Sequence, residues 1–328
     1  MKNIQEWLHE IGEKQARLES LGGLSTVASK NLDEWYRVEL TYTSNAIEGN
    51  TLSRAETALV VEKGLTVAGK SIQEHLEASN HALAWEWIKK QVVKQNYLFD
   101  EGELLTIHQL VLQKIDDVNA GRYPNVAVRI AGSRVILPNH MKVPNLMKKY
   151  FEWLREKPKN EIIQACEAHY RLVSIHPFTD GNGRTARLVM NLLLILCGYP
   201  PIIVRKEDRH EYLTSLETAQ LGGSSDRYYQ LMLEGLSRSL DIYLEAAGEV
   251  KRVETADKLL KIGELARLSG ESVATIRHWT KLGLLSVDGH TKGGYQLYKP
   301  TTAEVIIRIR ELQKDGRLSL DEISQELN

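Results

Sequence analysis

The chain has 328 residues, 42% of them hydrophobic and 26% charged, with a formal net charge of -1. That length holds two domains or one large one with a sizeable core, and the near-zero charge excludes a global electrostatic bias toward nucleic acid or membrane. Two cysteines, Cys166 and Cys197, exclude a disulfide framework; both sit in apolar helical stretches and read as buried thiols.

Residues 1–8 carry an amphipathic helical pattern rather than a signal peptide, so a reducing cytoplasm is the expected location. Residues 33–47 read as a helix with Gly49 as its C-terminal cap. It ends in Ser44-Asn45-Ala46-Ile47-Glu48-Gly49. Glu48 thus lies on the negative end of the helix dipole and needs a cation partner or solvent. Ser53 and Glu56 form a capping box for the next helix. Further helices are expected over 72–93 and 104–115. The alternation in 126–130, the Gly132-Ser133 turn and the apolar return over 134–138 predict a hairpin. Residues 147–157 and 161–175 return to helical periodicity.

The second of these runs into His176-Pro177-Phe178-Thr179-Asp180-Gly181-Asn182-Gly183-Arg184-Thr185-Ala186-Arg187. Residues 188–197 are apolar and read as a buried helix about half the length needed to span a bilayer. The polar run therefore ends at a helix N-terminus, whose unpaired N–H groups and positive dipole end attract phosphate. Glycines allow close backbone approach to an anion. Arg184 and Arg187 share a helix face and suit phosphate oxygens. Asp180 is a hard oxygen ligand for phosphate-bound Mg²⁺. His176 can take a proton near neutrality. There is no Walker loop. Together these residues describe phosphoryl or nucleotidyl transfer.

Helices over 208–221 and 227–247 follow, split by Gly222-Gly223-Ser224-Ser225, and 248–258 reads as a domain linker. From residue 259 to 328 the pattern changes. Short helices over 262–268 and 273–282 flank the turn Ser269-Gly270-Glu271-Ser272, with Gly283 closing the second. This describes a helix-turn-helix. Residues 292–298 read as the turn and return strand of a wing, with further helices over 301–315 and 319–327. Between Ser272 and Lys299 there are four basic residues (Arg277, Lys281, Lys292, Lys299) and one acid (Asp288), a net of +3 on the helix and wing.

The run from His176 to Arg187 matches the signature His-Pro-Phe-x-Asp/Glu-Gly-Asn-Gly-Arg-x-x-Arg at every fixed position and resembles the Fic family. The resemblance implies an all-α Fic core with a small β-hairpin flap, 1–247, that transfers AMP from ATP to a Tyr, Thr or Ser hydroxyl of a target protein. By the same resemblance, His176 is the base, Asp180 the Mg²⁺ ligand, and Gly181, Asn182 and Gly183 the anion hole. Arg184 and Arg187 hold the ATP phosphates, and Tyr212 walls the adenine pocket. Related Doc-type proteins, which phosphorylate, carry lysine where this chain has Gly183. Ser44 to Gly49 is similar to the family's inhibitory motif, in which the counterpart of Glu48 pairs with that of Arg187. The hairpin over 126–137 resembles the flap on which a target strand docks; Gly121, Tyr123 and Val143-Pro144 bracket it as in the family. Residues 259–328 resemble the MerR-type winged helix-turn-helix domain, in Ile262-Gly263-Glu264-Leu265-Ala266, Ile276-Arg277-His278-Trp279 and Gly294-Tyr295-Gln296-Leu297-Tyr298. Double-stranded DNA is then the implied partner, met by Arg277, His278, Lys281 and Lys292. MerR proteins usually continue into a long dimerising helix, and this chain stops at Asn328, so two-fold DNA reading requires a homodimer through the Fic core. No membrane contact is expected. Two alternatives stay open: a deAMPylase, with Glu48 orienting water, and a nucleotide-sensing transcription regulator.

Overall fold

Helix α1 (Ile4–Ser20) starts from a capping box between Asn3 and Glu6 and lies along α10 (Asp226–Ala246), where its Lys14 ammonium reaches Asp241 at 3.0 Å. The structure, a computed structural model, describes residues 2–95, 97–129, 132–248, 259–291, 293–314, 320 and 322–323. The chain divides into two compact units, Met1–Glu249 and Val250–Asn328.

In the first unit α2 (Thr26–Ile47) begins at Thr26 rather than at residue 33, because the Ser25 hydroxyl accepts from the Ala28 N–H and caps it. Its C-cap is Glu48 itself, and Gly49 follows with φ at +102°. The helix therefore hands its last position to a carboxylate, and the glycine turns the chain away. Next come α3 (Arg54–Lys63), which has the expected Ser53–Glu56 capping box, and α4 (Ile72–Val92). Helix α5 (Glu101–Leu112) starts before residue 104 because Asp100 caps it. Helix α6 (Val143–Leu154) lies N-terminal to the expected 147–157 because Pro144 occupies its first turn, where a missing N–H costs nothing. Helix α7 (Glu161–Ile175), α8 (Asn182–Leu196) and α9 (Arg209–Gln220) complete the unit.

Helix α8 is the axis. Helices α2, α4, α5 and α7 pack on it, and Leu188, Val189, Met190, Leu192 and Leu194 are fully enclosed. Each such side chain contributes about 1.5–3 kcal/mol of burial. That anchorage holds the polar N-terminal turn of the same helix in place. At its other end α8 reaches the surface, so Cys197 is exposed, contrary to the expectation that both thiols are buried; Cys166 is enclosed, and burial pushes its thiol up to about 12. No paired strand occurs among the described residues of 126–137, where a hairpin is expected. Two strands with no third partner are marginal in water. The segment is held instead by Glu217 of α9, whose Oε1 accepts from Ser133 Oγ and Arg134 N, both at 2.9 Å.

In the second unit β1 (Leu260–Lys261), β2 (Gly289–His290) and β3 (Gln296–Tyr298) form an antiparallel sheet of order β1-β3-β2, with Leu260 opposite Tyr298 and His290 opposite Gln296. Helices α11 (Ile262–Ser269), α12 (Val273–Lys281) and α13 (Thr302–Lys314) enclose Leu265, Ile276, Trp279, Tyr298, Ile306 and Ile309. This is the expected helix-turn-helix with a wing. Of the further helix over 319–327, Leu320, Glu322 and Ile323 are helical, and the remainder lies outside the described residues, as does 249–258 of the linker. Among the described residues no helix is long and apolar enough to cross a membrane.

Candidate active site

The site begins where α7 ends. His176 is the C-cap of α7, at φ 53° and ψ 60°, a left-handed conformation that usually falls to glycine. A β-carbon there costs about 1–2 kcal/mol, and Pro177 prevents the helix from continuing. The turn places the imidazole on the wall of a cavity. Nδ1 lies 3.3 Å from the Val173 carbonyl, which can only accept, so Nδ1 carries the proton and Nε2 the lone pair. Burial lowers the pKa of His176, with the Val173 contact, Glu48 and Asp180 acting against it. The ring is therefore neutral, the state a base needs.

The loop from Phe178 to Asn182 is fastened from both sides. Asn182 Oδ1 accepts from Phe178 N at 3.0 Å, and its Nδ2 donates to Phe178 O at 2.8 Å. Its side chain is thus committed, and only its backbone N–H is left for an anion. His108 of α5 stacks on Phe178 at 3.6 Å; its Nε2 donates to the Asp180 carbonyl at 3.0 Å and its Nδ1 accepts from Gly121 N at 2.9 Å. Burial pushes His108 down to about 4, keeping it neutral as that bonding requires. Sequence reasoning missed His108, because a single histidine on an apolar helix face carries no motif.

Gly181 caps α8 with φ at 73° and offers no side chain to the first turn, whose N–H groups stay open. Asp180 has its side chain 60% exposed and is ion-paired with Arg184 at 3.3 Å. Arg184 is enclosed; it faces Glu77 at 3.6 Å, and its Nε and Nη1 have no hydrogen-bond partner. Buried N–H groups without acceptors cost about 1–3 kcal/mol. Among the described residues no group of three or more His, Cys, Asp or Glu side chains is placed to hold a metal.

Arg187 is enclosed and is bound mainly by the C-terminal end of α2. Its Nη2 donates to Glu48 Oε1 at 2.8 Å and to the Ser44 carbonyl at 2.9 Å, and its Nε to Ser44 Oγ at 3.0 Å. Its Nη1 donates to the Tyr212 hydroxyl at 3.4 Å. The Glu48 carboxylate packs directly on Gly183: a β-carbon there would lie 2.3 Å from Oε1. A carboxylate disfavoured at the end of α2 thus gains the positive end of α8. Arg209 of α9, also unforeseen, donates its Nε to the Ile47 carbonyl at 2.7 Å and fixes the end of α2. Glu48, His176, Gly183, Arg187 and Tyr212 line one cavity of about 300 Å³, together with Ser133 and Glu217. Tyr212 is enclosed, its ring in the wall and its hydroxyl turned to Arg187.

In the second unit Arg277, His278 and Lys281 are exposed along α12, while Ile276 and Trp279 face inward. Lys261, Arg267, Arg277, His290 and Tyr295 line a surface concavity of about 860 Å³ between the helices and the wing. Lys292 lies outside the described residues.

Residues 98–194 match the Fic/DOC family, and residues 260–328 match the MerR HTH family of regulatory proteins. The chain is 35% identical over 249 residues to a protein adenylyltransferase Fic from Culex quinquefasciatus, covering 75% of this chain and 49% of that protein. It spans about half the length of the curated relatives it matches. The solved structure of Fic-1 from C. elegans is similar with a TM-score of 0.65 at 32% identity, covering 74% of this chain and 71% of that one. A Fic domain containing signaling protein from Bacteroides thetaiotaomicron gives 0.68 at 26% identity, covering 73% and 98%.

Proposed function

The chain belongs to the Fic/DOC family, and from that premise we propose that it is an autoinhibited protein adenylyltransferase, moving AMP from ATP to a Tyr, Thr or Ser hydroxyl of a target protein. The observation that carries the reading is the pairing of His176, its Nδ1 turned to the Val173 carbonyl, with the N-terminus of α8, which no side chain caps, and two enclosed guanidiniums. His176 Nε2 takes the proton of the target hydroxyl. The freed oxygen attacks the α-phosphorus in line, the bond to the bridging oxygen of the β-phosphate breaks, and diphosphate leaves. The first-turn N–H groups of Asn182 and Gly183, with Arg184 and Arg187, hold the phosphate charge through the transition state. The exposed carboxylate of Asp180, two residues before α8, would suit Mg²⁺ that arrives on the nucleotide, since phosphate-bound Mg²⁺ takes only one or two protein carboxylates. That ion supplies charge neutralisation at the phosphates. The segment 126–137, tied to α9 through Glu217, receives the target's backbone.

Glu48 keeps this machinery idle by holding Arg187 and covering Gly183. The exposed face of Arg277, His278 and Lys281 and its match to MerR regulators support contact of the second unit with double-stranded DNA. Incubation of the Glu48→Gly protein with labelled ATP, read by intact mass, tests the central reaction. His176→Ala in that protein is expected to lower AMP transfer by about 10²–10⁴ while ATP still binds. Undiminished transfer by His176→Ala removes the reading.

A further inference from the structure

Behind Arg187 runs a buried chain of side chains that the transfer step does not use. The Tyr212 hydroxyl is 2.8 Å from His169 Nε2, His169 Nδ1 is 2.8 Å from the Tyr228 hydroxyl, and that hydroxyl is 2.8 Å from the Cys166 carbonyl. Tyr212, His169 and Tyr228 are all enclosed. The direction of every proton in this chain follows from its far end. The Cys166 carbonyl can only accept, so Tyr228 donates to it. Tyr228 then accepts from His169 Nδ1–H, which leaves Nε2 of a neutral ring as an acceptor. Tyr212 must therefore donate to His169. Its oxygen is left with lone pairs only, and these face Arg187 Nη1, 3.4 Å away.

We infer that His169 is a positioning residue: acting through Tyr212, and set by Tyr228, it fixes a permanent acceptor behind Arg187 that aims this guanidinium into the nucleotide cavity once Glu48 departs. The inference rests on the proposed function, because it gives Arg187 a phosphate to hold. A guanidinium offers five N–H groups. Ser44 takes two from the inhibitory side, Tyr212 one from behind, and Glu48 one from the cavity side. Loss of Glu48 frees the cavity-facing N–H, while the Tyr212 contact keeps the plane of the group fixed. Burial holds His169 down to about 3, so the relay keeps one direction across the whole neutral range. Tyr212 then has two separable parts. Its ring walls the cavity, and its hydroxyl orients a phosphate ligand.

Calorimetric titration of Mg-ATP and of adenosine into the full-length Glu48→Gly protein separates these roles, in parallel with the same protein carrying Tyr212→Phe or Tyr228→Phe. Tyr212→Phe keeps the ring and deletes the acceptor. It is expected to weaken Mg-ATP about tenfold, the worth of one hydrogen bond to a charged group, and to leave adenosine, which has no phosphate, unchanged. Tyr228→Phe lets the histidine change tautomer and should weaken Mg-ATP in the same direction but less, again sparing adenosine; it decides the matter if Tyr212→Phe does not fold. Unchanged Mg-ATP affinity, or equal losses for Mg-ATP and adenosine, overturns the positioning role and leaves the proposed function standing. A Glu48→Gly protein that binds no Mg-ATP removes both.

Discussion

Replacing Glu48 with glycine should convert an idle protein into an active one. The carboxylate makes one charge-assisted hydrogen bond, at 2.8 Å, to Arg187. Such a bond is worth about 1.5–3 kcal/mol. The Glu48 side chain is 40% exposed, so solvent screening brings the figure to about 1–2 kcal/mol. By the tenfold-per-1.4 kcal/mol rule, that is about a 5- to 30-fold gain in the population with Arg187 free. The assay is the initial rate of self-modification at saturating Mg-ATP for wild type, Glu48→Gly, Arg187→Ala and the double variant. Glu48→Gly should be faster than wild type by that factor. Arg187→Ala should not mimic it, because it removes the phosphate clamp along with the lock, and the double variant should be slow. Equal rates for wild type and Glu48→Gly refute the lock. If Glu48→Gly instead slows removal of AMP from pre-modified protein, the glutamate serves hydrolysis rather than inhibition.

Four further outcomes follow from the geometry. His176 acts as a base only when neutral, and burial sets its pKa below 6.5; transfer by Glu48→Gly should therefore be flat from neutral to mildly alkaline pH and fall on acidification with a midpoint below 6.5, and a midpoint above 7 would contradict this. His81, His108 and His169 are enclosed, and burial lowers them to about 3, 4 and 3. The unfolded chain takes up these protons near pH 6.5 and the native state does not, so stability should drop between pH 6.5 and 5 by up to about 1.4 kcal/mol per pH unit for each histidine, and denaturation midpoints independent of pH in that window would refute it. Glu217→Ala releases Ser133 and Arg134 of the flap segment, so the KM for a protein target should rise severalfold while Mg-ATP affinity changes little, and an unaltered target KM would exclude the tie. In the full chain, Arg277→Ala with Lys281→Ala should reduce the log–log salt slope of duplex DNA binding by about one to two; an unchanged slope in a gel-shift series would place the DNA contact elsewhere.

The helices were legible because most announce themselves locally. Ser53 and Glu56 form their capping box, and α7 ends at Ile175 because a proline follows two residues later. The boundaries that moved did so for equally local reasons: Ser25 and Asp100 start α2 and α5 earlier than apolar periodicity indicates. The residues proposed to face the nucleotide were legible because they are packed into one contiguous run. What stayed hidden was the support around that run. His108, His169, Arg209 and Glu217 come from α5, α7 and α9, and each acts through a partner distant in sequence. Tyr212 is a pocket wall only by the family resemblance, and its hydroxyl's contact with Arg187 is visible only in the fold. The flap segment shows the opposite limit: alternation predicts strands, but a strand needs a partner, and none is present among the described residues.

Gly183 ties activity and restraint to one atom's worth of space. The N-terminus of α8 draws negative charge whether that charge belongs to a phosphate or to a carboxylate. With no β-carbon at 183, either can approach the backbone, and Glu48 Oε1 does so at a position any side chain would exclude. On the proposed function, Glu48 is an anion of the same class as the phosphate it would hold off, placed at the same dipole and bound by the same guanidinium. This explains why the lock can be weak. On that reading it would compete for Arg187 and the helix terminus, and it would need only to keep a nucleotide from claiming both in the one orientation that presents the α-phosphorus to the hydroxyl at His176. Arg209 makes the arrangement dependent on α9 as well, since its hold on the Ile47 carbonyl fixes the residue before Glu48. Helix α9 thus touches the end of α2 through Arg209, the motif arginine through Tyr212 and the flap segment through Glu217. A target that shifts the flap would pull on the same helix that steadies the lock.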